Sequence, residues 1–174
     1  VGLIGTIQNM IGDRVLHTER TTPESFELQK LLREMADAGV EVVCMEVSAH
    51  ALYLRKLVGV VFEAAAYTNL SQDHLDYFGT MENYFETKKS FFMHGQVLNA
   101  ALNADDETSD KIIKDIKVPY LTFGISSDAD VFARDIEISE DGVSFSILLR
   151  GLEEMPVHMH LTGMFNVYNA LAAA

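Results

Sequence analysis

Val40-Glu41-Val42-Val43-Cys44-Met45-Glu46-Val47-Ser48-Ala49-His50 reads as a strand running into a polar turn. Residues 40–47 are short, rich in β-branched side chains and nearly continuous in apolar character. That is the pattern of a buried parallel strand, not of a half-exposed alternating one. A carboxylate and a hydroxyl follow where the apolar run ends. Before it, Thr22-Pro23-Glu24 opens a helix, with threonine as N-cap, proline at the first helical position and an acid in the first turn. Phe26, Leu28, Leu31, Leu32 and Met35 give that helix one apolar face, and Gly39 ends it. Further back, residues 1–7 form another apolar strand, followed by a polar stretch.

Further along, apolar runs at 60–70 and 97–102 alternate with helices expected at about 80–92 and 106–116. This succession of strands and helices predicts an α/β fold, a mostly parallel sheet flanked by helices. Past residue 118 the pattern changes. Segments 119–123, 131–139 and 143–150 read as strands, with Glu140-Asp141-Gly142 as a turn between the last two. A strand near 155–161 leads into a helix from about 165. The second half therefore adds a small antiparallel annex. No repeat or low-complexity tract interrupts the 174 residues, which fit one domain.

Composition narrows the function classes. Hydrophobic residues make up 48% and charged residues 22%, so a packed core is expected. A net charge of −13 argues against a nucleic-acid or anionic-membrane surface. A phosphorylated small molecule is still compatible with it, because a local site can be positive on an acidic protein. The single cysteine, Cys44, excludes an internal disulfide and fits a reducing cytoplasm. No apolar run reaches membrane-spanning length, and no basic-then-apolar leader is visible. The sequence opens on an apolar run without methionine and closes inside Leu171-Ala172-Ala173-Ala174, which reads as a fragment of a longer chain.

Three segments place polar groups where buried strands end, the position at which open α/β sheets bind ligands. In the first, Glu46 is either a carboxylate turned to solvent or an oxygen donor for a hard cation such as Mg²⁺. The second, Thr68-Asn69-Leu70-Ser71-Gln72-Asp73-His74-Leu75-Asp76, puts a histidine among acids, a better ligand candidate than an isolated one. The third, Tyr84-Phe85-Glu86-Thr87-Lys88-Lys89, carries a helical lysine pair whose plainer reading is a solvated face. Asn103-Ala104-Asp105-Asp106 follows the next strand and reads as a cap on the helix after it. A Gly-x-x-x-x-Gly-Lys-Ser/Thr phosphate loop is missing from the sequence, and Gly2-x-x-Gly5 does not replace it.

Taken in order, the motifs resemble the Mur ligase family. They are Thr21-Thr22-Pro23-Glu24-Ser25, Met45-Glu46-Val47-Ser48-Ala49-His50-Ala51-Leu52, Thr68 to Tyr77, Met81-Glu82-x-Tyr84-x-x-x-Lys88, Asn103-Ala104-Asp105-Asp106, and Leu161-Thr162-Gly163-x-Phe165-Asn166-Val167-Tyr168-Asn169. The resemblance runs from end to end. It is most similar to the branch that adds meso-diaminopimelate or L-lysine to UDP-N-acetylmuramoyl-L-alanyl-D-glutamate. It implies a central ATP-handling domain with a P-loop NTPase-like fold, whose phosphate loop lies upstream of Val1. The partner domains of the same chain would be an N-terminal one for the UDP group and a C-terminal one that selects the diamino acid.

The resemblance also implies roles. Glu46 would help hold Mg²⁺ at the ATP phosphates, and His74 would ligate a second ion. Lys88 would be a carbamylated lysine: a neutral amine takes up CO₂, and a cation becomes a metal-binding carboxylate. Thr21, Thr22 and Ser48 would contact the UDP-muramoyl-dipeptide, and Asn166 would lie near the adenine. Three positions depart from the family pattern. Ala49 replaces a serine, Phe78 replaces a histidine and has no polar role, and the family's substrate arginine falls on Lys56, beside Arg55. Lysine keeps the charge there but lacks the bidentate fork. The implied reaction is ATP-dependent amide formation through an acyl phosphate, with the 174 residues alone expected to be inactive. Three alternatives stand beside it: another amide ligase of the superfamily, such as a folylpolyglutamate synthase, a non-catalytic binding domain of the same fold, and a plain α/β domain whose strand-end residues only cap helices.

Overall fold

The computed structural model describes residues 1–126 and 128–174, which form two compact units. The first comprises residues 1–60 with 86–90, the second residues 61–85 with 91–174.

In the first unit, strands β1 (Gly2–Ile4), β2 (Asn9–Ile11), β3 (Arg14–Leu16) and β4 (Val43–Met45) make one sheet in the order β3-β2-β1-β4. Only β1 and β4 are parallel. The β2–β3 hairpin lies within the stretch expected to be merely polar. Ile11 pairs with Arg14 around Gly12-Asp13, and Gly12 takes the φ of +57° that a two-residue hairpin turn needs. Helix α1 (Ser25–Asp37) buries Leu28 and Met35, while Phe26 stays exposed. Its N-cap is Glu24, not Thr22: the backbone N–H of Glu24 donates to the Glu27 carboxylate at 3.3 Å. Thr22 and Pro23 sit before the helix, and the threonine is drawn into the interior instead. At the other end Gly39 adopts φ +76°, and the Gly39 and Val40 N–H groups return to the carbonyls of Ala36 and Met35. This is a Schellman stop.

Strand β4 pairs with β1 as a parallel strand, but it is not the buried strand its composition suggested. It forms the edge of the sheet, with Val42 63% and Val43 37% exposed. A short helix, α2 (Ala49–Tyr53), follows, with Ser48 as its N-cap.

In the second unit, β5 (Ala65–Tyr67), β6 (Ala100–Asn103), β7 (Tyr120–Gly124), β8 (Val131–Ser139), β9 (Gly142–Leu149) and β10 (Met155–Met159) form one six-stranded sheet in inverse chain order. Pairings from β5 to β8 are parallel and those from β8 to β10 antiparallel. The antiparallel annex is therefore continuous with the parallel sheet. The expected strand at 60–70 shortens to β5 plus a single bridge between Phe62 and Val97. Helices α3 (Leu75–Phe78), α4 (Met81–Met93) and α5 (Ser109–Ile113) lie between the strands in sequence. The last is much shorter than the helix expected at 106–116. Helix α6 (Met164–Ala173) packs Val167 and Leu171 on Phe123, Val143, Phe145 and Ile147. The turn between β8 and β9 falls where expected, Ser139 facing Gly142.

Candidate functional site

Two parallel strands of the first unit end side by side. Gly5-Thr6 follows β1 and Glu46 follows β4, and the Glu46 N–H still donates to the Ile4 carbonyl at 2.8 Å. The Glu46 carboxylate is held from the facing chain. Its Oε2 accepts from the Thr6 hydroxyl at 2.5 Å and from the Thr6 N–H at 3.3 Å. A Cβ on Gly5 would lie 2.9 Å from Oε1, so a larger residue there would push this carboxylate aside. An anchored, exposed pair of carboxylate oxygens at a strand end suits a hard cation.

The threonine pair joins this group. The Thr6 and Thr21 hydroxyls lie 3.0 Å apart; with the Thr6 proton on Glu46, Thr21 donates. Thr22 is 3% exposed. Its hydroxyl donates to the Glu46 carbonyl at 2.9 Å and accepts from the Ser48 N–H at 3.0 Å, which clips the 45–48 turn in place. The Ser48 hydroxyl accepts from the Ala51 N–H at 3.2 Å. Thr21, Thr22, Glu46 and Ser48 are thus brought together. Thr6 and Gly5 belong with them and were missed, although the same rule, polar groups just past an apolar strand, would have found Thr6.

Lys56 is only 8% exposed, and its Nζ lies 2.7 Å from Glu24 Oε1. Arg20 reaches the same carboxylate at 3.0 Å. The Lys56 hydrogen bond, with both cations nearby, holds the Glu24 carboxyl below its usual range. Arg55, beside it, is exposed and has a left-handed backbone, φ +55°.

In the second unit, His74 opens α3 with φ +55°. Its N–H donates to Asp73 Oδ1 at 2.7 Å, and its Nε2 lies 3.5 Å from Asp73 Oδ2. The imidazole stands edge-on to Tyr84, with ring centroids 5.9 Å apart, and Tyr84 stacks on buried Phe78. Phe78 therefore supports the histidine loop by packing.

Asn103-Ala104-Asp105-Asp106 does more than cap α5. Asn103 Nδ2 donates to the Thr68 carbonyl at 2.7 Å. Asp106 Oδ2 accepts from the Leu70 N–H at 2.8 Å, while Oδ1 takes the Thr108 N–H and hydroxyl. Asp105 Oδ2 accepts from the Ile125 N–H at 2.6 Å and the Tyr168 hydroxyl at 2.9 Å. Burial first, then Asp105, push the Tyr168 phenol up to about 12. Asn166 lies in the first turn of α6, its Nδ2 on the Thr162 carbonyl at 2.9 Å.

Lys88 is half-buried on α4, in the part of that helix grouped with the first unit. Glu46 thus lies in the same unit and His74 in the other. Among the described residues, no group of three or more His, Cys, Asp or Glu is placed to hold a metal ion, and no helix is long and apolar enough to cross a membrane.

Comparison with known proteins places this architecture. The Mur ligase middle domain matches over residues 1–174. A UDP-N-acetylmuramoyl-L-alanyl-D-glutamate--2,6-diaminopimelate ligase of Caldanaerobacter subterraneus subsp. tengcongensis is 46% identical over 173 residues, 99% of this chain and 36% of the relative. A protein of the same name from Clostridium acetobutylicum is 42% identical over 173 residues, 99% of this chain and 35% of the relative. A solved structure of a ligase of that name superposes with a TM-score of 0.88 at 33% identity, covering 99% of this chain and 36% of that one. The chain thus spans about a third of the length of the curated relatives it matches. The motifs, the sheet and these likenesses agree from end to end, and the chain belongs to the Mur ligase family, as its middle domain.

Proposed function

We propose that this chain is the ATP-handling part of a ligase that adds meso-diaminopimelate to UDP-N-acetylmuramoyl-L-alanyl-D-glutamate in peptidoglycan precursor synthesis. The observation that supports this most is the likeness over 99% of the chain to ligases of that name. The substrates would be ATP, the UDP-muramoyl-dipeptide and a diamino acid, with L-lysine as the other candidate amine. The chain's own N- and C-terminal domains would be its partners, and the cytoplasm, which holds these precursors, its compartment.

The chemistry is acyl activation followed by amide formation. The substrate carboxylate attacks the γ-phosphate, ADP leaves, and an acyl phosphate forms. The incoming amine then attacks the acyl carbon and phosphate leaves. Both reactants of the first step are anionic, so alignment and charge neutralisation dominate. Mg²⁺ would supply that neutralisation. Glu46 would hold one ion through its Thr6-anchored carboxylate, and His74 would hold a second. Lys88, as a carbamate, would add a carboxylate; among the described residues no group of three or more His, Cys, Asp or Glu is placed to hold an ion without it. Thr21, Thr22, Ser48 and Lys56 would orient the UDP-muramoyl-dipeptide, Lys56 from its seat on Glu24. Asn166 would meet the adenine.

The test is an ADP-release assay on the full-length protein. Turnover should require the dipeptide precursor and a diamino acid together, with diaminopimelate preferred over lysine. Turnover with a folate and glutamate, but not with the muramoyl substrate, would overturn the reading. Glu46→Gln and His74→Ala should each lower kcat by about a hundredfold or more.

A further inference from the structure

The four-residue motif that begins at the end of β6 bonds three other segments of the second unit: the loop after β5, the end of β7 and α6. Toward one side, Asn103, 6% exposed, ties down the Thr68 carbonyl, and Asp106 ties down the Leu70 N–H. These are the first residues of the loop that carries His74. The Thr108 hydroxyl, having given its proton to Asp106, accepts from Tyr67 at the end of β5, so the base of the loop is closed into a ring. Toward the other side, Asp105 receives the Tyr168 hydroxyl from α6, two residues beyond Asn166. Gly124 makes room for that carboxylate, since a Cβ there would come within 2.8 Å of Asp105 Oδ2. Helix capping explains the bonds to Thr108. It does not explain those to Thr68, Leu70 and Tyr168, which lie on other elements.

We propose that Asn103, Asp105 and Asp106 are positioning residues with divided duties: Asn103 and Asp106 set the loop that presents His74, and Asp105, through Tyr168, sets the helix that presents Asn166. The inference rests on the metal and nucleotide roles proposed above for His74 and Asn166. Its consequence is separability. Damage on one side should weaken metal binding and spare nucleotide binding, and damage on the other should do the reverse.

The test uses the full-length protein, Mn²⁺ binding followed by electron paramagnetic resonance, and calorimetric titration of a non-hydrolysable ATP analogue at saturating Mn²⁺. Asp106→Asn keeps one acceptor but turns an amide toward the Leu70 N–H. It should weaken Mn²⁺ binding roughly tenfold, as loss of a group that orients a metal ligand does, and leave analogue affinity unchanged. Asn103→Ala carries the same expectation should Asp106→Asn fail to fold. Tyr168→Phe should weaken the analogue about tenfold, the low end of the scale of a lost bond to a charged group, with Mn²⁺ binding unchanged. In double variants, Asp106→Asn should add nothing to His74→Ala, and Tyr168→Phe nothing to Asn166→Ala. Full additivity, or wild-type Mn²⁺ binding in Asp106→Asn while His74→Ala weakens it, would overturn the brace alone. Unchanged Mn²⁺ binding in His74→Ala would instead overturn the role of His74 itself, and the brace with it.

Discussion

At the residue scale, small groups decide where the charged ones can stand. Gly5 shows this. Its φ lies outside the left-handed region, so alanine fits the backbone, yet the added Cβ would meet Glu46 Oε1 at 2.9 Å. Gly5→Ala should therefore leave the melting temperature of the full-length protein almost unchanged and lower its kcat/KM about tenfold, by displacing a metal-ligand candidate. A large fall in melting temperature instead would mean that the glycine serves the fold. The Lys56–Glu24 pair makes a prediction in pH. Lys56 holds the Glu24 pKa below its ordinary 4.5. A carboxyl depressed in the folded state adds stability that is complete above its unfolded value and lost as pH falls through the folded one. The difference in melting temperature between wild type and Lys56→Met should thus be most in favour of wild type near neutrality and should shift against it below about pH 4.5. A difference independent of pH would refute the pairing.

At the element scale, glycines end what apolar periodicity begins. Gly39 stops α1 at φ +76° with open space around it, so its replacement meets only the backbone penalty. Gly39→Ala should cost about 1 kcal/mol in thermal or denaturant unfolding. Gly142 is held twice, by φ +140° and by the Met159 carbonyl, 2.0 Å from where a Cβ would stand. Gly142→Ala should cost about 3 kcal/mol or more, and hydrogen exchange should report loss of protection in β10 specifically. The two hairpins contrast in legibility. Glu140-Asp141-Gly142 stood between two obvious apolar runs. Gly12-Asp13 sat between strands of three residues each, too short for period-two alternation to register.

At the scale of the whole chain, the core of the second unit is built from the residues the sequence marks as apolar, Phe123, Val143, Phe145, Val167 and Leu171 among them. Leu171 is 2% exposed, and Leu171→Ala should cost about 3 kcal/mol in urea unfolding. The 174 residues alone, without a phosphate-loop sequence, should release no ADP; appreciable release would contradict the division of labour proposed here. Legible in the sequence alone were the α/β alternation, the β8–β9 hairpin, the place of Glu46 just past a strand, and the family. The first three are local signals, a period in apolarity or a residue at a fixed offset from it, whereas the family rests on motifs in order along the whole chain. Tertiary structure decided the rest. Val42 and Val43 have the composition of a buried strand but lie on a sheet edge, because burial depends on what packs alongside and not on the side chain. Thr22 looked like a helix cap, yet its hydroxyl bonds the chain 24 and 26 residues away, at Glu46 and Ser48. Asn103, Asp105 and Asp106 looked like a local cap and instead join three other segments. A polar side chain satisfies its hydrogen bonds with whatever the fold brings near, and no spacing along the sequence records which partner that is.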